Sequence, residues 1–329
     1  MTSEGRDTPI PATLNVVLLA SAMTACAGCL WLASHADAWA VRLMAAGVFS
    51  FVNNTVFSLL HEATHGVLHP SRRVNDGLGR VAATLFPTSF TMQRAFHLNH
   101  HRHNRTRLEQ FDYFRPGDNR FLKRAQWYSI LSGLYWLFVP VGAVAFALIP
   151  GLLHRLRGTG THYGEQTGAD AYLGRLEVAP GAAIRWEVLL AVAVQAGLVS
   201  ALDLTVTGQA LCYAAFAVNW SGLQYADHAW SPLHVRDGAW DLRVAAPVRW
   251  LFLNYHYHRA HHRHPHVPWL HLGRFVDSSA PRPSFLRVWL SMWRGPRPLP
   301  ATVEDATSGP ASFGTQPREE PLPLTVEAR

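Results

Sequence analysis

Residues 14–33 read LNVVLLASAMTACAGCLWLA, a stretch of twenty residues without a charged side chain. A transmembrane helix needs about 20 predominantly apolar residues, so this stretch is long enough to cross a bilayer. Residues 38–60 form a second apolar stretch, interrupted only by Arg42 and by the polar pair Asn53 and Asn54. Two adjacent stretches of this kind are rare in soluble folds, and they predict a membrane protein with several spans.

The composition of the whole chain agrees with a membrane location. Of its 329 residues, 49% are hydrophobic and 16% are charged, whereas about 25% charged residues is typical of soluble domains. Three further apolar stretches follow the first two, at residues 127–153, 186–201 and 209–224. We therefore expect an all-α polytopic membrane protein with about four transmembrane helices and a cytoplasmic helical cap.

The three cysteines lie inside apolar stretches and indicate no disulfide framework. Cys26 and Cys29 form a C-x-x-C pair, a spacing that also occurs in redox pairs and zinc sites. Such sites need further ligands or a polar, accessible setting, which the middle of a predicted span does not offer. Packing between helices is the interpretation we favour for both residues.

The charges are distributed as expected for membrane topology. Residues 67–124 contain eleven Lys and Arg against four Asp and Glu, and residues 227–294 are also rich in arginine. Positive charge marks the cytoplasmic side, so both segments are expected there, separated by an even number of crossings. The net charge of +7 is explained in this way without a nucleic-acid partner.

The stretch 127–153 is the uncertain part of this topology. The stretches 186–201 and 209–224 form a natural hairpin, so a full crossing by 127–153 would place the two basic segments on opposite faces. Pro140 and Pro150 are expected to break its helical pattern, which favours two short embedded helices that do not span.

The chain divides into three parts. Residues 1–13 are predicted to be a cytoplasmic N-terminal segment, and residues 14–294 the membrane domain. The mixed-charge loop 155–185 inside this domain is expected on the cytoplasmic side. Residues 295–329 are rich in Pro, Thr, Ser and Glu, without apolar periodicity, and are predicted to be a disordered tail.

Nineteen histidines occur in the chain, and nine of them follow a regular pattern. Eight lie in HEATH at 61–65, HLNHH at 97–101 and HRAHH at 258–262, and the ninth lies in QYADHA at 224–229. On a helix, residues three and four apart share one face, so HxxxH presents two imidazoles and HxxHH three. Three such motifs on neighbouring helix ends are able to enclose two metal ions. Imidazole ligands suit Zn, Cu, Fe and Ni, so the ligand type leaves the metal open.

The three histidine motifs together resemble those of the membrane fatty acid desaturase/hydroxylase superfamily, which carries HxxxH, HxxHH and HxxHH in this order. The resemblance covers roughly residues 38–276. It includes the short gap between the first two motifs, the two spans before the third, and the proline-aromatic segment HPHVPWLHL at 264–272.

The resemblance implies a di-iron centre with O2 as co-substrate. The implied ligands are His61, His65, His97, His100, His101, His228, His258, His261 and His262. Glu62 and Asp227 are expected to orient ligand imidazoles through the ring N–H group, and Asp112 is a further candidate for this role. Asn254 is expected to hold a metal-bound water.

The implied activity is desaturation of a fatty acyl or other lipid chain by O2 activation. Relatives with similar motifs also hydroxylate or oxidise carotenoids and lipids, or form 1-alkenes by decarboxylation of fatty acids, and the sequence leaves these reactions open. The chain has no recognisable haem, flavin or iron–sulfur module, so a ferredoxin or cytochrome b5-like donor is expected to supply electrons. Its basic face is suited to an acidic donor or to anionic lipid headgroups.

Two other functions compete with this interpretation. HEATH also matches the HExxH motif of zinc proteases, in which Glu62 would activate water. That hypothesis leaves the second and third motifs and His228 unexplained. A transporter or metal-binding protein would place histidines inside the spans, whereas here they gather at the predicted membrane boundary.

Overall fold

The computed structural model describes residues 8–149, 152, 176 and 179–300. Most of the loop predicted over residues 155–185 and of the tail therefore lies outside the described residues. The described part is mostly helical. Its helices are α1 (Ala12–His35), α2 (Trp39–His65), α3 (Arg72–Leu85), α4 (Phe90–His103), α5 (Arg120–Leu131), α6 (Phe138–Leu148), α7 (Gly181–Leu202), α8 (Val206–Ala226), α9 (Ala246–Leu251), α10 (His258–Arg263) and α11 (Phe285–Met292).

Three of these helices, α1, α2 and α7, are long and apolar enough to cross a membrane. A fourth candidate is the bent pair of α5 and the segment Leu134–Leu148, whose axes meet at 86°. The predicted span at 209–224 corresponds to α8, which has 21 residues and packs against α1 and α2. Gln209 and Asn219 lower its mean hydropathy, and α8 is not among the helices that are apolar enough to cross by composition, so its crossing stays a prediction.

Polar contacts show which ends of the long helices lie together. At one end, the ring of His35 at the end of α1 donates to the carbonyl of Leu202 at the end of α7, over 3.0 Å. The backbone N–H of Thr205, directly before α8, donates to the hydroxyl of Ser34 over 3.1 Å. We call this level of the bundle the opposite end, because it lies one helix length away from the histidine motifs.

The other level, the histidine end, is fixed by Asn15 near the start of α1. Its amide donates to the carbonyl of Leu68, three residues after α2, and its carbonyl accepts from the indole N–H of Trp269. The start of α1, the end of α2 and the segment after the third histidine motif therefore meet at one level.

A carboxylate in α7 connects this span to the helix of the second histidine motif. Glu187 is buried and accepts from the backbone N–H of Thr91 at 2.8 Å and from the hydroxyl of Ser89 at 2.6 Å. Its other oxygen accepts from Arg80 at 2.8 Å. The negative charge lies at the positive N-terminal end of α4, which stabilises both elements.

The long, mostly buried helix at the centre of the bundle is α2. Its side chains Phe49 and Phe57 contact Phe216 and Trp220 of α8 edge-on, with ring centroids 6.4 and 5.5 Å apart. The buried amide of Asn53 donates to the carbonyl of Leu85 at the end of α3, over 3.2 Å. Apolar packing and satisfied polar groups together hold α2 in place, which fixes the position of the histidines at its end.

The bend between α5 and α6 occurs at a glycine and not at a proline. Gly133 has φ +78°, and a Cβ there would lie 2.7 Å from the backbone nitrogen of Val218 and 2.8 Å from the carbonyl carbon of Ala217. Pro140 was expected to break the helix but lies in the first turn of α6, where its missing N–H group has no helical partner to lose. Pro150 lies outside the described residues.

The beginning of the predicted tail is ordered. Residues Arg297–Pro298 form a strand parallel to Tyr113–Phe114, and the N–H of Arg297 donates to the carbonyl of Asp112 over 2.9 Å. Disorder from residue 295 was predicted from local composition. Local composition does not reveal a pairing with a strand that is distant in sequence.

Replacing Gly133 by alanine should destabilise the bundle by more than the same change at Gly117. Both glycines have positive φ, which costs an L-residue about 1–2 kcal/mol. A Cβ at Gly117 meets nothing within 4 Å, whereas at Gly133 it meets the backbone of α8, and overpacking typically adds about 1–3 kcal/mol. Thermal unfolding in detergent measures the difference, and equal losses for the two variants would contradict the close approach.

Candidate metal centre

The nine histidines converge in the folded chain and divide into two groups. Within each group, candidate ligand atoms lie within 4.8 Å of one another. The five-histidine cluster consists of His61, His65, His97, His101 and His261, and the four-histidine cluster consists of His100, His228, His258 and His262.

Each histidine motif lies at the C-terminal end of a helix or in a short one. The pair His61 and His65 occupies the end of α2, which stops at Gly66 with φ 78°. The second motif occupies the last turns of α4, whose N-terminus is capped by the Ser89 hydroxyl. The third motif forms most of α10, and His228 follows α8 after one residue. Helix ends from distant parts of the chain thus point their histidines at one volume.

The two HxxHH motifs are each divided between the clusters. In the second motif, His97 and His101 face the five-histidine cluster and His100 faces the other. The third motif reverses this arrangement, because His258 and His262 face the four-histidine cluster. His261 faces the five-histidine cluster. The clusters are also adjacent, with the ring centroids of His101 and His262 4.3 Å apart.

The distances between ring nitrogens match those of ligands around a metal ion. The Nε2 atom of His97 lies 2.7 Å from that of His65 and 3.0 Å from that of His101. In the other cluster, Nε2 of His258 lies 2.9 Å from that of His228 and 3.2 Å from that of His262. Metal–imidazole bonds of about 2.1 Å place adjacent nitrogens of an octahedron about 3.0 Å apart.

Hydrogen bonding among the imidazoles alone does not account for the five-histidine cluster. A neutral imidazole has one N–H group, and several Nε2 atoms here face the same volume. His61 is 5% exposed, and its Nε2 has no hydrogen-bond partner. A buried nitrogen without a partner is costly unless another group binds its lone pair, so the donor set fits a metal ion.

The environment keeps these side chains in the form that binds metals. Burial lowers the pKa of His97 and His101 well below the ordinary value, and neighbouring histidines lower it further. The pKa of His261 and His262 is lowered by the same two causes. A group whose pKa lies well below 6.5 is uncharged near pH 7, and only the neutral imidazole offers a lone pair to a metal.

Ligand orientation involves a carboxylate that sequence reasoning did not identify. Oε2 of Glu109 lies 2.6 Å from Nδ1 of His100, and Glu109 is buried. Such an acceptor fixes the imidazole with its Nε2 toward the cluster. His228 is held in the same way by the carbonyl of Gly238, 2.8 Å from its Nδ1. Glu109 lies nine residues after His100 and beyond the end of α4, so no helical spacing relates it to the second histidine motif.

Asp227 lies beside the four-histidine cluster as expected. It is fully buried, and its oxygens lie 3.6 Å from Nδ1 of His258 and 3.9 Å from Nε2 of His228. These distances are longer than hydrogen bonds, so the orienting role of Asp227 stays a prediction.

Three other predicted positioning residues have different partners in the structure. Glu62 lies 3.9 Å from Nδ1 of His61, beyond hydrogen-bond range, and instead accepts from the backbone N–H of Trp269 at 2.9 Å. Asn254 donates to the carbonyl of the same Trp269 at 3.0 Å, and its expected contact with a metal-bound water stays a prediction. Asp112 forms a buried two-point ion pair with Arg105, at 2.7 and 2.9 Å, and does not orient a histidine.

A cavity of about 740 Å³ lies against both clusters. His97 of one cluster and His100 and His228 of the other are part of its wall. Most of the remaining wall is apolar and comes mainly from α4, α5, α6 and α8, including Phe96, Phe138, Val139 and Phe146, and Phe111 from the segment between α4 and α5 adds to it. The volume lies in the range of about 300–1,000 Å³ that is usual for small-molecule sites.

A family model described as fatty acid desaturase matches residues 37–289, which include all nine histidines. The chain belongs to the fatty acid desaturase family. It is therefore a membrane oxidoreductase of the lipid desaturase and hydroxylase type, and its family is known for iron-dependent catalysis. The resemblance predicted from the histidine motifs is confirmed. No curated protein matches the sequence.

Replacing Glu109 by alanine should weaken metal binding by about 10–100-fold, because the N–H group of His100 loses its acceptor. Glu109→Gln is the matched control, since its amide oxygen still accepts from Nδ1. The measurement is the chelator concentration that removes half of the metal from the purified protein. Retention of metal by the alanine variant equal to that of the wild type would argue against this role.

Proposed function

We propose that this chain is a fatty acid desaturase that uses two iron ions, O2 and an external electron donor. The observation that carries the proposal is the meeting of both histidine clusters at the wall of one apolar cavity. Removing hydrogen from an unactivated C–H bond is beyond any side-chain acid or base, and bound iron supplies that chemistry. The protein then has to hold a hydrocarbon chain beside the clusters and exclude water.

Five and four imidazoles are suitable donor sets for two ions. The five-histidine cluster would hold one ion and the four-histidine cluster the other. Because each HxxHH motif contributes to both clusters, neither α4 nor α10 is able to shift without affecting both ions. Glu109 and the carbonyl of Gly238 would fix the imidazoles of His100 and His228.

The charges of the cavity wall favour a reaction in the middle of a substrate's acyl chain over a reaction at its carboxyl end. Among its described wall residues, Arg105 is the one Lys or Arg side chain, and the carboxylate of Asp112 neutralises it. A free fatty acid carboxylate next to the clusters would lack a cation and would be costly to bury. Formation of a 1-alkene by decarboxylation requires that end of the substrate near the metals, so these charges support desaturation.

Hydroxylation of a lipid chain remains the second candidate, since the same cavity would hold the same substrate. The zinc protease hypothesis is not supported by the geometry. In a HExxH protease Glu62 activates a water on the metal, whereas here its carboxylate accepts from the N–H of Trp269. The protease hypothesis also has no use for seven further converging histidines.

The proposal places the histidine end on the cytoplasmic side, because the segments that carry the motifs are rich in arginine. Arg102 and Arg107 are exposed next to the second motif. Exposed cations at this level would attract an acidic ferredoxin or cytochrome b5-like donor and raise its rate of association.

Single alanine substitutions at His101 and His262 should each remove iron from one cluster and abolish product formation. Wild-type protein is expected to contain about two iron ions per chain, and each variant about one or fewer. The control is His35→Ala, which changes an exposed histidine at the opposite end. Iron analysis and mass spectrometry of lipids from an expressing host measure both effects. A single zinc with peptidase activity, or continued turnover in both variants, would refute the proposal.

Filling the cavity should limit the length of chain that is accepted. Gly142 lines the cavity, and a Cβ there meets only the Phe146 ring at 3.9 Å, so Gly142→Phe places a ring in the substrate volume. We expect at least a tenfold loss of activity on long chains with unchanged iron content. Gly197→Phe is the matched control, because Gly197 is also helical with open space but does not line the cavity. Equal effects of the two variants would show that the cavity does not hold the substrate.

A further inference from the structure

We infer that α5 and α6 form a re-entrant wall between the cavity and the bilayer, and that the substrate chain enters sideways from the membrane between these two helices. The substrate class that follows is a hydrocarbon chain dissolved in or attached to the lipid bilayer. The inference rests on the proposed function for the nature of the substrate, and on the structure for the route.

The first argument is topological. The end of α2 lies at the histidine end, and so does the start of α7, because Leu202 at its other terminus contacts His35 at the opposite end. The segment between α2 and α7 therefore begins and ends at the histidine end of the bundle. In the sequence, residues 154–180 carry six charged side chains and no apolar stretch long enough to cross. The bent pair then enters the membrane and returns without crossing it.

The outer face of the pair is apolar and exposed. On α6, Phe138 is 68% exposed, Val141 63% and Leu148 70%. The same helix packs against α7, and Ala143 and Ile184 belong to one buried apolar cluster. The outer face therefore continues the exposed apolar surface of a membrane span, on which Leu189 is 64% and Val192 51% exposed. A surface of this extent next to a span is expected to contact hydrocarbon.

The inner face of the same helix forms the cavity wall. Val139, Gly142 and Phe146 line the cavity, and their spacing of three and four residues places them on one side of α6. Val141 and Leu148 do not line it and lie on the outer side. The wall is therefore one helix thick, with hydrocarbon on one side and the substrate volume on the other.

Two residues belong to both surfaces and mark the opening. Ala125 on α5 and Phe138 on α6 line the cavity and are also exposed on the outside. They lie on different helices of the pair, which diverge at 86° from the bend near Gly133. The cavity therefore reaches the outer surface between the two helices, on the side that faces the bilayer.

Cysteine labelling in oriented membrane vesicles tests the topology. The native residues Cys26, Cys29 and Cys212 are buried, so the wild-type background is low. With a membrane-impermeant maleimide, Arg73→Cys and Ala182→Cys should react from one face and Val206→Cys from the other, while Val141→Cys should react only with a lipid-soluble maleimide. Reaction of Ala182→Cys from the face of Val206→Cys would overturn the re-entrant wall, and so would reaction of Val141→Cys with the impermeant reagent.

Photo-crosslinking tests the route without requiring turnover. The probe is a phosphatidylcholine vesicle in which one acyl chain carries a diazirine, mixed with the metal-loaded full-length protein. Crosslinks are expected on the peptides of Gly142 and Phe146. Ala125→Trp or Phe138→Trp should reduce them at least fivefold without lowering the melting temperature. Phe121→Trp is the control, since Phe121 is 82% exposed on α5 and does not line the cavity.

The outcomes separate the route from the reaction. Crosslinks confined to outer-face peptides in the wild type, or cavity crosslinks unchanged in both opening variants, would overturn lateral entry. Cavity crosslinks that depend on Ala125 and Phe138 support it. If such crosslinks form while no oxidised lipid is produced on addition of O2 and reductant, the proposed desaturase activity fails and the entry route stands.

Discussion

The structure depends on holding nine imidazoles against one another in one largely buried volume. Such an arrangement is unfavourable by itself, because nitrogen lone pairs face one another and His61 has a buried Nε2 without a partner. It persists only where rigid elements impose it or a metal ion compensates it. The surrounding fold supplies the rigidity, since α2 is buried between apolar helices and α4 is anchored at its N-terminus by Glu187.

The division of each HxxHH motif between two clusters follows from helical geometry. Residues i and i+4 lie on nearly the same side of a helix, and residue i+3 is rotated from them. A helix end placed between two ions can therefore serve both. In α4 the i and i+4 histidines belong to the five-histidine cluster, whereas in α10 they belong to the four-histidine cluster. The two helices therefore keep the clusters adjacent, with His101 and His262 at the junction. The fixed spacing of the clusters beside one cavity is what suits the site to a reaction on a hydrocarbon chain.

Glu62 and Asn254, for which a role at the metal is predicted, also hold the scaffold. Glu62 and Asn254 both bind the backbone of Trp269, whose indole in turn binds Asn15 of α1. This group joins the first span, the first histidine motif and the segment after the third motif. The Asp112–Arg105 pair likewise neutralises the charge of the cavity wall. The histidine motifs and the cavity wall are therefore held in place by a framework of buried polar contacts.

The sequence by itself determined the apolar spans, the helical class and the identity of all nine converging histidines, because hydrophobic length and residue spacing are local properties of the chain. The division of those histidines into five and four, the role of Glu109 and the bend at Gly133 were decided only by the tertiary structure. Each depends on contacts between segments far apart in sequence, such as Glu109 with the end of α4 and Gly133 with the backbone of α8. Local patterns carry no information about which distant group will fill the space beside a given atom.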